Sequence, residues 1–82
     1  MIRLELCTDH LDPDTREAIL EVIYEELRIG PGMVTADGDF ELLLRKCGES
    51  SEDAPYFKIN DALFAHVTAD RVRQLVRARK RR

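Results

Sequence analysis

Asp37-Gly38-Asp39-Phe40-Glu41-Leu42-Leu43-Leu44-Arg45-Lys46-Cys47 is the stretch from which the rest of the chain can be read. Asp-Gly is a dipeptide of tight hairpin turns, because glycine takes the positive φ such turns need. Behind the turn, Phe40 to Lys46 predicts a strand with Phe40, Leu42 and Leu44 on one face and Leu43 partly covering the other. That strand delivers Cys47 to a polar loop running to Asp53. Tyr56 to Ile59 and Ala62 to Val67 then predict two short strands, joined through Asn60-Asp61 as a hairpin. Thr68 caps a final helix whose Ala69, Val72, Leu75 and Val76 face inward.

Toward the N-terminus, Ile2, Leu4 and Leu6 alternate with Arg3 and Glu5, the period of a strand with one buried face. Cys7 to Leu11 is expected to be a loop. Asp12-Pro13-Asp14 is a helix start: Asp12 accepts from free backbone N–H groups, and proline at the first helical position forfeits no needed donor. Ala18, Ile19, Val22, Ile23 and Leu27 make an apolar stripe, with Glu21, Glu25 and Arg28 outside it. Gly30-Pro31-Gly32 should end the helix, and Met33 to Ala36 reads as a short extended segment. A helix between the first two strands calls for a parallel crossover, with an antiparallel hairpin following at the edge. The fold class is therefore α/β, a thioredoxin-like mixed sheet with helices packed on it. Ile2, Leu4, Ile23, Leu27, Leu42, Leu44, Leu63 and Leu75 are expected in the core.

With 82 residues the chain makes one small domain, expected over 1–78, with a basic tail at 79–82. There is no apolar run of membrane-spanning length and no signal-peptide pattern at the N-terminus. Two cysteines without secretory features point to a cytoplasmic, reducing setting with free or metal-bound thiols. The net charge of −3 conceals an asymmetry. All sixteen acids lie within residues 1–70 against six bases, whereas Arg71 to Arg82 holds seven bases and no acid. The glycines, four in number, form no phosphate-cradling loop, and there is no Cys-x-x-Cys for dithiol exchange.

Thr35-Ala36-Asp37-Gly38-Asp39-Phe40, Ala54-Pro55, Asn60-Asp61 and Val67-Thr68 stand in an order and spacing that extend over nearly the whole chain. In this the chain resembles the thioredoxin-like [2Fe–2S] ferredoxins. These occur as the small subunit of the NADH-dehydrogenase module of respiratory complex I, and in NAD-linked hydrogenases and formate dehydrogenases. The family pattern holds its cluster with Cys-x4-Cys after the first strand and Cys-x3-Cys later. Cys7 matches the first ligand position and Cys47 the third, but Asp12 and Ser51 occupy the second and fourth. The resemblance implies an accessory or electron-transfer subunit of a multisubunit NAD-linked redox enzyme. Its implied partners are flavin- or iron–sulfur-containing subunits, and its implied cofactor is a [2Fe–2S] cluster.

The residues themselves point away from a retained cluster. Clusters of this type are held by four thiolates, and oxygen from aspartate or serine is a harder donor for an iron–sulfide core. Asp12 is accounted for as a helix cap, and Ser51 by its place in a polar Ser-Ser-Glu-Asp loop. Cys7-x2-His10 has zinc-like spacing but lacks a second tight pair. Cys7 and Cys47 are expected to be neighbours across two loops, unpaired thiols being the default and a reversible disulfide the alternative. His66 is expected at the surface of the last strand. The basic tail admits two readings: neutralising the phosphates of nucleic acid or an acidic membrane surface, without aromatic platforms for bases, or docking on an acidic groove of a partner subunit. The alternative function is a free-standing binding module whose basic tail contacts nucleic acid or an acidic protein. Screening by salt makes its attraction to the acidic body weak, so the chain is expected to be mobile after about Arg77.

Overall fold

The computed structural model describes residues 1–80. Arg81 and Arg82, the last part of the expected basic tail, lie outside the described residues. The order is β1 (Ile2–Cys7), α1 (Pro13–Leu27), β2 (Phe40–Arg45), β3 (Phe57–Ile59), β4 (Ala62–Phe64) and α2 (Ala69–Arg77). The strands form one mixed sheet in the order β2-β1-β3-β4. β1 and β2 are parallel, as the helix between them requires, and β3 runs antiparallel to both β1 and β4. This is the expected α/β thioredoxin-like arrangement.

Leu4 and Leu6 of β1, Phe40 and Leu42 of β2, and Phe57 and Ile59 of β3 project to one face. There they meet Ile19 and Ile23 of α1 and Val72, Leu75 and Val76 of α2 in a single core. Both helices therefore lie on the same side of the sheet. The alternate residues, among them Arg3, Glu5, Glu41, Leu43, Arg45, Lys58 and Leu63, line the helix-free face.

Local signals explain the elements. Asp12 caps α1, its carboxylate accepting from the Thr15 backbone N–H at 3.0 Å and the Thr15 hydroxyl at 2.7 Å. Thr68 caps α2 by accepting from the Arg71 N–H at 3.1 Å. The Asp37-Gly38 turn closes a narrow hairpin in which Thr35 N donates to Phe40 O and Leu42 N to Met33 O, with Gly38 at φ 76°. The expected strand at Met33 to Ala36 is reduced to one bridge, Val34 to Glu41. That arm lies along the outer side of β2 and leaves it beyond the Gly32 to Leu42 hydrogen bond.

Several expectations need correction. Cys7 ends β1 instead of opening a loop, because the parallel register carries the pairing on to Arg45. α1 stops at Leu27, before the glycines, and Arg28 itself takes the left-handed position (φ 61°), donating its N–H to Tyr24 O. Ala18 of the expected stripe is exposed. β4 ends at Phe64, since His66 turns away at φ 52°, yet Val67 still reaches the core. Leu44 and Leu63, expected inside, are 41% and 42% exposed. Leu44 lies on an edge strand past the end of the covering arm, and Leu63 pairs with Lys58 and so faces the side without helices. Ile2 and Leu27 pack on the core's margin.

Candidate functional site

The parallel pairing of β1 with β2 sets Cys7 opposite Arg45, so Cys47, just beyond the strand, comes back over the end of β1. The two sulfurs are joined: Sγ to Sγ is 1.99 Å and the α carbons are 5.5 Å apart. This corrects the expectation of free or metal-bound thiols, whose basis was a compartment and not geometry. The proximity of the two cysteines, 40 residues apart in sequence, is as expected, and the strand register supplies it.

The surroundings of the bond are well tied. Cys7 is wholly buried and donates its N–H to Tyr56 O at 3.2 Å, while Thr8 N donates to Arg45 O at 2.9 Å. Gly48, at φ 72°, donates its N–H to an Asp9 carboxylate oxygen. Beyond it, the buried Tyr56 places its hydroxyl 3.5 Å from Ser50 Oγ. His66 N donates to Asp53 O, and the His66 ring contacts Asp53 Oδ1 at 3.1 Å. The loop after Cys47 is thus held at both ends. His66 is a surface histidine as expected, with its ring 66% exposed.

The remaining candidate residues are all exposed. Asp12 is exposed and engaged with Thr15, whose hydroxyl and N–H hold the carboxyl below the usual carboxylate range. Ser51 is exposed in a bend just before the turn at Glu52 and Asp53. His10 is exposed at φ 57°, and the sulfur of the Cys7-x2-His10 pair is bonded to Cys47. Among the described residues, no three or more histidines, cysteines or acids are grouped so as to hold a metal ion.

One buried charge at this end was not anticipated. Glu5 is 3% exposed on the helix-free face, with Lys58 as its β3 neighbour. Arg45 Nε stands 3.0 Å from Glu5 Oε1, a charge contact at an angle that gives that oxygen no hydrogen bond. Alternation had assigned Glu5 to solvent, but the long Arg45 side chain reaches over to it and Leu43 and Lys58 flank it on the neighbouring strands.

At the other end of the molecule the C-terminal bases turn inward. Arg73 reaches Glu25 at 2.7 Å and Glu26 at 3.1 Å; Arg77 and Lys80 reach Glu26 at 3.0 and 3.4 Å. The Arg77 guanidinium foremost, then Lys80, holds the Glu26 carboxyl below its ordinary range. Arg79 donates to Leu75 O and lies over the Phe64 ring, 5.9 Å from its centre. Arg79 and Lys80 are therefore seated on the domain, where the sequence had suggested a tail mobile beyond Arg77.

A family model described as thioredoxin-like [2Fe-2S] ferredoxin matches residues 2–80. The chain belongs to that family. A search of curated proteins finds no match. A [2Fe–2S] cluster of the ferredoxin type is held by four thiolates. This ferredoxin-like chain has two cysteines, each bonded to the other, while Asp12 serves as a cap. The residues as arranged do not fit a [2Fe–2S] core.

Proposed function

We propose that this family member no longer carries the cluster and serves as an accessory, non-catalytic subunit of a multisubunit NAD-linked redox enzyme, contacting its flavin- or iron–sulfur-containing subunits. The observation that carries the proposal is the Cys7–Cys47 bond, which engages both sulfurs at the matching ligand positions. With the sulfurs so engaged, what the fold offers a larger assembly is a surface. Its helix-free face presents a mixture of charges around the part-exposed Leu43 and the exposed Leu63. The rival role, a module binding nucleic acid through basic residues, is less well supported, because Arg73, Arg77 and Lys80 already face Glu25 and Glu26.

Iron and acid-labile sulfide analysis of anaerobically purified protein, with its visible spectrum, tests the proposal. The expected result is neither iron nor sulfide and no charge-transfer absorption. Stoichiometric iron and sulfide would overturn it. Co-expression with flavin- and iron–sulfur-subunit genes neighbouring this one should yield a complex that contains the chain; binding to a nucleic acid instead would favour the rival.

A further inference from the structure

Cys47 is partly exposed, whereas Cys7 is wholly buried. A nucleophile arriving from solvent therefore meets the Cys47 sulfur first. Beside it lies a groove of about 320 Å³ lined by Arg45, Lys46, Glu49, Lys58, Asp61 and Leu63. Arg45 is directed to the buried Glu5. Lys46 and Lys58 have no carboxylate within ion-pair distance among the described residues. Two uncommitted cations thus stand at the more accessible sulfur of the disulfide, with Glu49 and Asp61 as the acids also lining the groove.

We propose that Cys47 is the entry point for thiol–disulfide exchange and that this groove takes a small thiol bearing carboxylates. The proposal rests on the cluster-free reading above. The incoming thiolate attacks Cys47 Sγ, forming a mixed disulfide there, while the Cys7–Cys47 bond breaks and its electron pair leaves on Cys7 Sγ, which takes a proton from water. A second thiolate attacks the incoming thiol's own sulfur, releasing the small disulfide and leaving Cys47 reduced. Two thiols supply the two electrons. Exchange passes through an arrangement with negative charge spread over three sulfurs, and access decides which sulfur is attacked. Lys46 and Lys58 stabilise that charge and also draw in the carboxylates, an attraction that salt weakens.

The test uses the oxidised full-length chain with glutathione, which carries two carboxylates, or with cysteamine, which carries an amine, at equal thiolate concentration. Acid-quenched samples are read by intact mass and peptide mapping. The expected adduct is on Cys47. Glutathione should react faster than cysteamine, by about three- to tenfold at low ionic strength, with the advantage shrinking as salt is added. Lys46→Glu, at an exposed position, should remove the preference without moving the thermal melt. An adduct on Cys7, equal rates for the two thiols at low salt, or exchange only after denaturant is added would overturn the proposal. Because the unmutated protein already reports the salt dependence, the outcome does not hang on the variant. Iron and sulfide in the purified protein would defeat the cluster-free reading before any thiol is added. An iron-free, disulfide-bonded protein that exchanges elsewhere would defeat the exchange site alone.

Discussion

At the scale of single residues, the two candidate ligand positions lacking cysteine can be separated from the two that have it. Asp12 holds Thr15 by both its N–H and its hydroxyl, so its role is to start α1. Asp12→Ala should lower the melting temperature, Asp12→Asn should recover most of the loss because asparagine also caps, and neither should change the metal content. Cys47→Ser tests the crosslink. It releases a closed loop spanning 40 residues of sequence separation, and a loop of this size should cost about 2–4 kcal/mol in denaturant unfolding. A loss well below that range would mean that the tied loop around Tyr56 and Asp53 already restrains the chain.

At the scale of elements, α1 and α2 are joined through apolar packing and two acids, Glu25 and Glu26. Ile23 is wholly buried between sheet and helices, so Ile23→Ala should cost about 2–4 kcal/mol by chemical denaturation, since it removes methyl groups and leaves a cavity. Glu26, its side chain 7% exposed, receives Arg73, Arg77 and Lys80 from α2 and the residue stretch after it. Its carboxyl is depressed in the folded chain, so it binds a proton less readily there than when unfolded. Its contribution is therefore complete above the unfolded value of about 4.3 and is lost as pH falls through the depressed folded one. Melting temperature measured against pH should show an acid limb that Glu26→Gln flattens. An unchanged limb in that variant would assign acid lability to other carboxylates.

At the scale of the whole molecule, opposite charge is drawn together at one end and a disulfide closes the other. Removing residues 79–82 takes away the Lys80 to Glu26 pair, whose lysine is 39% exposed. An exposed pair of this kind contributes on the order of 0.5 kcal/mol. For a domain of this size the truncation should lower the melting temperature by about 2–4 °C, readable by calorimetry. Assembly with a redox partner should suffer more, because docking on partner carboxylates would use the bases that the truncation removes. A truncated chain that melts far lower would show that the stacking of Arg79 on Phe64 matters more than the ion pair.

Much of this protein was determined by its sequence alone, where the cause is local. Asp12-Pro13 and Thr68 mark the starts of both helices because capping involves only the next few residues. The 2-residue alternation of Ile2 to Leu6 and of Phe40 to Leu42 likewise chose the faces that meet the helices. The motif order was enough to identify the family and its α/β sheet. What tertiary structure decided depends on which strand neighbours which. The parallel register of β1 and β2 set Cys7 against Cys47 and let them bond, where the expectation of a reducing compartment had favoured free thiols. The same register, with both helices on one side, left Leu63 in the open and buried Glu5 beneath Arg45. Leu44 shows why alternation alone falls short: it has the right parity for the core, but it lies on the edge strand past the covering arm and stays 41% exposed.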